Sequence, residues 1–265
     1  MILDRIIEST KKRVEKNKND RPFADVKEAA LTRLSKEGEM EINELPFYQA
    51  IAKKNMSFIC EVKKASPSKG LIAKEFPYLT IAKEYEKAGA SAISVLTEPQ
   101  FFKGCGRYLS EIKKEVAIPV LRKDFIIDDY QIYEAKMWGA DAILLISSVL
   151  DTAALSKFIK LAHNLNMAAL CETRTREEVA SALAAGAHMI GVNNRDLKTF
   201  RVDMHKSVSL RKLVPPDVLF VSESGIKSNQ DIAPLMEAGV DSVLIGESMM
   251  LAPDKSAFLR DLKGI

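Results

Sequence analysis

After Pro46, short uninterrupted apolar runs alternate with amphipathic segments along the chain. The runs are too short for helices, and continuous apolar strands are typical of a parallel sheet covered on both faces. Eight runs predict strands, at Ser57–Val62, Ala92–Leu96, Ile118–Leu121, Ala142–Ile146, Met167–Cys171, Met189–Val192, Val218–Val221 and Ser242–Ile245. Helical periodicity between runs predicts helices, including Thr80–Ala88, Asp129–Trp138, Leu155–Asn164, Arg176–Ala185 and Asn229–Ala238.

A repeated junction marks every second strand. Gly89, Gly139, Gly186 and Gly239 each stand between a predicted helix and a strand, 50, 47 and 53 residues apart. Such a glycine is typical of a helix that ends in the left-handed conformation. Eight strands with this two-unit repeat favour a closed (β/α)₈ TIM barrel over an open doubly wound sheet, which would leave edge strands.

The first forty-six residues do not follow this rhythm. Four apolar side chains fall on one face of a predicted helix, namely Leu3, Ile6, Ile7 and Val14. We interpret the basic residues around them as a solvated face rather than a polyanion site. We therefore expect residues 1–46 to be an N-terminal helical extension packed on a catalytic barrel formed by residues 47–265.

Composition excludes several classes of protein. Of the 265 residues, 47% are hydrophobic and 28% are charged, with a net charge of +3, which is typical of a globular chain without a nucleic-acid partner. The apolar runs are too short to span a membrane, and the charged opening segment is unlike a secretory signal. Three scattered cysteines, Cys60, Cys105 and Cys171, have no metal-ligand spacing. We expect a cytoplasmic protein with no metal and, since no dinucleotide or P-loop motif is present, no cofactor.

The candidate chemistry lies at the ends of the predicted strands, where barrels of this type hold their active sites. Six strands end in ionisable or amide groups, supplied by Glu61 and Lys63, Lys123, Glu172, Asn193 and Arg195, Glu223, and Glu247. Glu61 and Lys63 are two residues apart and so point to the same side of their strand. Cations beside carboxylates can bind an anion and exchange protons with it, although each residue alone could be an ordinary rim residue.

Two glycine-containing segments after the last strands predict a phosphate site. Ser224 and Gly225 precede a predicted helix, and Gly246 and Glu247 open the segment after the eighth strand. Loops at these positions often hold phosphate through backbone N–H groups, although the glycines could simply form tight turns. The Ser66–Gly70 loop predicts a mobile lid, with a plain surface loop as the alternative.

Six blocks of sequence, spread over nearly the whole chain, resemble the indole-3-glycerol phosphate synthase family. The blocks are Glu61–Gly70, Leu96–Gly104, Arg122–Phe125, Glu172–Thr173, Gly191–Leu197 and Ser222–Ile226. The resemblance implies a carboxy-lyase of tryptophan biosynthesis. This enzyme closes the ring of 1-(2-carboxyphenylamino)-1-deoxyribulose 5-phosphate, and then removes CO₂ and water to give indole-3-glycerol phosphate.

The resemblance also implies roles for the polar residues. Lys123 is expected to be the acid for ring closure, with a pKa lowered by neighbouring cations, and Lys63 to hold the substrate carboxylate and expel the hydroxyl group. Glu172 is expected to be the base or proton shuttle in dehydration, although the two lysines could exchange roles. Glu61 and Glu223 are expected to orient the lysines and the sugar hydroxyls. Asn193 and Arg195 are expected to fix the substrate, and Ser66 to help bind its carboxylate.

The remaining expectations concern binding. An apolar wall for the anthranilate ring is expected from Phe102, Phe125, Leu144, Leu197 and Ile245, each of which could instead be ordinary core. Phosphate is expected at Ser224, Gly225, Gly246 and Glu247. A phosphoribosylanthranilate isomerase and a non-catalytic phosphate-binding relative are the alternative functions. We expect a monomer that binds a small phosphorylated substrate, no nucleic acid and no membrane, with the other tryptophan-pathway enzymes on separate chains.

Overall fold

In a computed structural model, which describes residues 2–196 and 199–265, eight parallel strands close into a barrel. Each barrel strand pairs with two neighbours, and the first barrel strand closes the ring by pairing with the second and the eighth. The strands are β1 (Ser57–Val62), β2 (Ala65–Ser66), β3 (Gly70–Leu71), β4 (Ala92–Leu96), β5 (Val120–Lys123), β6 (Ala142–Ile146), β7 (Ala168–Thr173), β8 (Met189–Asn193), β9 (Leu219–Glu223) and β10 (Ser242–Ile245). Of the strands in the described ranges, β2 and β3 alone lie outside the barrel, where they form a short antiparallel hairpin after β1. The predicted TIM barrel is therefore confirmed.

Helices alternate with the barrel strands. They are α1 (Ile2–Asp20), α2 (Phe23–Leu34), α3 (Pro46–Ile51), α4 (Tyr78–Lys87), α5 (Gly106–Glu115), α6 (Asp129–Trp138), α7 (Thr152–Asn164), α8 (Arg176–Ala184), α9 (His205–Arg211), α10 (Asn229–Glu237), α11 (Glu247–Leu251) and α12 (Lys255–Lys263), with a 3₁₀ turn at Ile42–Glu44. Among the helices of the described ranges, none is both long and apolar enough to cross a lipid bilayer.

The predicted repeat corresponds to a repeated backbone conformation. Gly89, Gly139, Gly186 and Gly239 have φ angles of 86°, 92°, 88° and 77°. Each follows a helix and leads within a few residues into a strand. These positive φ angles confirm the predicted left-handed helix ends. Glycine suits these positions because a side chain at such angles would be strained.

Among the strands, the largest boundary error concerns the third barrel strand. It was predicted at Ile118–Leu121 and lies at Val120–Lys123. The strand continues through Arg122, whose side chain is 1% exposed and pairs with Asp124 at 3.0 Å and with Glu134 at 2.8 Å. The prediction ended this strand too early because it took only apolar residues as buried, whereas an arginine can also be buried when its charge is paired.

Side chains along each barrel strand point alternately outward and inward, which separates the residues of the outer core from the candidate site residues. In β1, Phe58, Cys60 and Val62 point outward into the large core between strands and helices. Ile59 points inward into the cluster that fills the barrel. Residues on that inward face are two apart, so Glu61 and Lys63 continue it towards the carboxyl end of the barrel.

The helices that precede β1 pack on the barrel. Ile6 of α1 belongs to the cluster inside the barrel. Arg13 of the same helix donates to both carboxylate oxygens of Asp124, at 2.7 and 3.1 Å. Lys18 pairs with Asp128 at 2.7 Å. These contacts fix α1 against the segment that follows β5, beside the end of the barrel where the polar residues gather.

Candidate active site

A cavity of about 760 Å³ opens at the carboxyl ends of the strands. Its volume suits a drug-sized ligand. All the candidate site residues within the described ranges line it, namely Glu61, Lys63, Ser66, Phe102, Lys123, Phe125, Leu144, Glu172, Asn193, Arg195, Glu223, Ser224, Gly225, Ile245, Gly246 and Glu247. Leu197, the remaining candidate, lies outside the described residues.

Glu61 and Lys63 form the first ion pair of the cavity. Their side chains share the inward face of β1, and the ammonium of Lys63 donates to Glu61 Oε1. Burial would raise the pKa of Glu61, but Lys63 and Lys123 outweigh it and lower the pKa. Glu61 is therefore a buried, ionised carboxylate held between two cations.

Lys123, the last residue of β5, lies among three carboxylates. Its ammonium donates to Glu223 Oε2 and lies 3.9 Å from Glu172 Oε2. Burial lowers the pKa of Lys123, but Glu223, Glu61 and Glu172 together outweigh it and raise the pKa above that of a free lysine. The expectation of a pKa lowered by neighbouring cations was wrong, because the residues that reach this ammonium are carboxylates.

Glu223 is 1% exposed at the end of β9. Burial raises the pKa of this carboxyl to about 7; Lys123 opposes the rise, and the nearby carboxylate of Glu172 adds to it. A carboxyl group with this pKa exchanges protons readily at neutral pH. Glu223 and Lys123 therefore form a buried ion pair inside the cavity.

Glu172, at the end of β7, has a partner that the sequence analysis missed. Arg174 Nη2 donates to Glu172 Oε1 at 3.1 Å, and Arg174 lines the cavity. The signal was its position two residues after Glu172, which puts both side chains on the same side. The sequence analysis predicts only the helix Arg176–Ala185 after this strand.

A glycine is needed where the last strand meets the first. A Cβ atom on Gly246 would clash with Glu61 Oε1 and Lys63 Nζ. The backbone of Gly246 therefore lies directly beside this ion pair. Ser224 and Gly225, with φ angles of 68° and 103°, form the neighbouring turn after β9.

The other polar candidates lie on the rim of the cavity. Asn193 Oδ1 accepts from the backbone N–H of Arg195 at 3.0 Å. The guanidinium of Arg195 lies 3.9 Å from Glu247. Ser66 lies in the hairpin after β1, where its hydroxyl is 3.3 Å from that of Ser68.

Apolar side chains line the cavity beside these polar groups. The rings of Phe102 and Phe125 have centroids 6.0 Å apart, and Leu144 and Ile245 lie in the same lining. The sequence analysis missed Ile2 and Ile6 of α1 as lining residues. Their helical spacing indicated only that α1 packs on the barrel, not where it packs.

The cysteines are packing residues in this structure. Cys60 and Cys171 are buried in β1 and β7, and burial raises the pKa of each thiol to about 12. A thiol with such a pKa is a poor nucleophile at neutral pH. Within residues 2–196 and 199–265, no three His, Cys, Asp or Glu side chains are grouped so as to hold a metal ion.

Comparison with known proteins identifies the family. The family model for indole-3-glycerol phosphate synthase matches residues 3–262. This chain belongs to the indole-3-glycerol phosphate synthase family. It is 53% identical over 264 residues to the protein of that name from Ruminiclostridium cellulolyticum, covering 100% of this chain and 99% of the relative. It is 54% identical over 263 residues to that of Endomicrobium trichonymphae, covering 99% and 100%.

Solved structures with lower sequence identity share the fold. 3-Hexulose-6-phosphate synthase from Salmonella typhimurium superposes with a TM-score of 0.66 at 16% identity, covering 79% of this chain and 97% of that chain. Thiamine phosphate pyrophosphorylase from Pyrococcus furiosus gives 0.57 at 17% identity, covering 79% and 94%. At such identities the likeness shows the barrel alone.

Membership of the indole-3-glycerol phosphate synthase family confirms the predicted family and the predicted carboxy-lyase activity in tryptophan biosynthesis. The isomerase and the non-catalytic relative are set aside as functions of this chain.

Proposed function

We propose that the cavity binds 1-(2-carboxyphenylamino)-1-deoxyribulose 5-phosphate and carries out ring closure, decarboxylation and dehydration with Lys63, Lys123 and Glu172. The observation that carries this proposal is that these three residues, far apart along the chain, line one cavity. Lys123 Nζ lies 3.9 Å from Glu172 Oε2, so an acid and a base lie close enough to act on one substrate.

In ring closure, an aromatic carbon attacks the ketose carbonyl, and negative charge develops on its oxygen. Lys123 donates a proton to that oxygen. Its raised pKa keeps the ammonium charged at neutral pH, so the group also stabilises the oxyanion electrostatically. Glu223, in contact with the same ammonium, orients it and can return a proton to it.

Loss of CO₂ then leaves a hydroxyl group to be expelled. Lys63 binds the carboxylate before this step and supplies the proton that leaves with the hydroxyl as water. Glu172 removes the carbon-bound proton and so acts as the base of the dehydration. Glu61 orients Lys63 through their ion pair, which the backbone of Gly246 borders.

The rest of the cavity binds the substrate. Backbone N–H groups of Ser224, Gly225, Gly246 and Glu247 hold the phosphate, since glycines let the chain approach its oxygens closely. The substrate is fixed further by Ser66, Asn193 and Arg195, and the anthranilate ring packs on Phe102, Phe125, Leu144, Leu197 and Ile245.

Turnover of the phosphorylated substrate and its dephosphorylated analogue tests this proposal. Indole fluorescence should rise with the phosphorylated compound, and kcat/KM should be at least ~10²-fold lower for the analogue, because remote binding energy supports the reaction. Equal kcat/KM values for the two compounds would contradict the phosphate site.

We further propose that residues 1–46 form an extension that packs on the barrel formed by residues 47–265 and completes the wall of the cavity. Support comes from Ile2 and Ile6, which line the cavity, and from the Arg13–Asp124 ion pair. Deletion of residues 1–46 should raise KM, and an unchanged KM would contradict the proposal.

We propose that the protein is a cytoplasmic monomer. The unpaired thiols of Cys60, Cys105 and Cys171 support a reducing compartment. Light scattering should give the mass of one chain. A dimer mass at micromolar concentration would contradict the monomer.

A further inference from the structure

Arg174 contacts Glu172 within the nearly buried part of the cavity. Arg174 Nη2 donates to Glu172 Oε1 at 3.1 Å, and the two side chains are only 16% and 5% exposed. Solvent and salt screen a pair this buried much less than a surface pair. The guanidinium therefore acts strongly on the position of the carboxylate.

The backbone of Arg174 is itself held in place. Its N–H donates to Glu178 Oε2 at 2.7 Å, and the hydroxyl of Thr175 accepts from the backbone N–H of Glu178 at 3.2 Å. The hydroxyl of Thr175 thus caps the start of α8, and the bond from Arg174 to Glu178 ties the preceding residue to the same turn. Arg174 therefore extends from a fixed helix start rather than from a mobile loop.

The pairing divides the two oxygens of Glu172 between different neighbours. Oε1 accepts from Arg174, whereas Oε2 lies 3.9 Å from Lys123 Nζ. One oxygen is thus anchored, and the other is left at the side of the cavity where Lys123 lies. A carboxylate held at one end has few alternative orientations.

We propose that Arg174 is a positioning residue that holds the carboxylate of Glu172 in the orientation from which it takes the carbon-bound proton during dehydration. Arg174 remains protonated throughout and neither gives nor receives a proton. This inference rests on the proposed role of Glu172 as the base.

Steady-state kinetics of five variants test the inference. They are Arg174→Gln, Arg174→Lys, Glu172→Gln, the double variant Arg174→Gln/Glu172→Gln, and Arg176→Gln, which removes an exposed arginine two residues further on. Arg174→Gln should lower kcat about tenfold or more, the scale of a lost hydrogen bond to a charged group. KM should stay within about twofold, because only the reacting geometry is disturbed.

The other variants separate positioning from structure and from substrate binding. Arg174→Lys should recover part of kcat, because the charge is kept and the planar fork is lost. Arg176→Gln should behave as wild type. The double variant should be no slower than Glu172→Gln, because a residue that acts only through Glu172 has nothing to position once that carboxylate is gone.

Three results would overturn the inference. A rise in KM that persists in the Glu172→Gln background would mean that Arg174 binds the substrate directly. An unchanged kcat for Arg174→Gln, with Glu172→Gln strongly impaired, would remove Arg174 alone and leave the role of Glu172 intact. A nearly normal kcat for Glu172→Gln would overturn the proposed base itself, and the inference with it. Thermal unfolding midpoints within a few degrees of wild type confirm that each comparison concerns folded protein.

Discussion

At the scale of single residues, the cavity is a balanced set of buried charges. Three carboxylates, Glu61, Glu172 and Glu223, lie among the cations Lys63, Lys123 and Arg174. Each carboxylate contacts one of these cations. Because buried charges are costly unless paired, removal of any one of them leaves a partner buried without its counter-charge.

Replacement of Lys123 by alanine tests the acid of ring closure. We expect kcat to fall by ~10² or more, the usual scale for loss of a general acid. Lys160→Ala on the exposed face of α7 is the matched control and should keep wild-type kcat. Indole fluorescence measures both, and a Lys123→Ala variant within a few-fold of wild type would contradict the assignment.

The pH dependence of stability tests the environment of Glu223. Its pKa of about 7 in the folded chain lies above the ordinary value of 4.5, so the folded state binds more protons between those values. The free energy of unfolding should therefore fall as pH rises from about 5 to about 8, by on the order of 1 kcal/mol per pKa unit.

Glu223→Gln removes this contribution because glutamine does not ionise. Denaturant unfolding at several pH values should show a flatter profile for the variant than for wild type. Parallel profiles would mean that Glu223 is already ionised throughout this range.

At the scale of elements, the ion pair between α1 and the segment after β5 links the extension to the strand that carries Lys123. Asp124 accepts from Arg13 and Arg122 as well as from Thr97. Burial would raise the pKa of Asp124, but the two arginines outweigh it and lower the pKa to about 2. Docking of α1 is thus tied to a group adjacent in sequence to Lys123.

Arg13→Gln should lower the free energy of unfolding by about 1 to 3 kcal/mol, because one partner of a largely buried pair is removed. Lys11→Gln breaks the exposed pair with Glu8, whose side chains are 57% and 63% exposed, and should leave the free energy of unfolding nearly unchanged. Urea unfolding measures both variants. Equal effects would show that the buried pair does not stabilise the docking of α1.

The junction between β10 and α11 can be tested by adding one methyl group. Gly246 has an ordinary φ of −109°, so Gly246→Ala strains contacts rather than the backbone. Its Cβ would displace Glu61 or Lys63, and kcat/KM should fall by up to ~10²-fold, as expected from small misplacement of reacting groups. Wild-type kcat/KM would contradict the close approach.

At the scale of the whole molecule, the barrel could be predicted because its pattern is repetitive. Strands such as β1, β4, β6 and β10 lie where uninterrupted apolar runs predicted them. The candidate residues on strand ends also meet, since parallel closed strands bring all carboxyl ends to one side. Neither conclusion required knowledge of side-chain contacts.

Side-chain contacts were the part that could not be predicted. The number of carboxylates around Lys123, and hence the direction of its pKa shift, depends on distances between strands remote in sequence. Arg174 was missed because an arginine before a helix is usually a surface residue. The position of Ile2 in the cavity depends on where α1 docks, which amphipathic periodicity leaves open.

The central claim is that Lys123 acts as the acid of ring closure and Glu172 as the base of dehydration. Rapid-quench analysis of Glu172→Gln mixed with substrate tests it most directly. Glu177→Gln, an exposed glutamate of α8, is the matched control. The account predicts that a ring-closed, decarboxylated intermediate that still carries its hydroxyl group accumulates in Glu172→Gln and not in the control. Recovery of unreacted substrate alone would contradict it, because Glu172 would then be needed before dehydration.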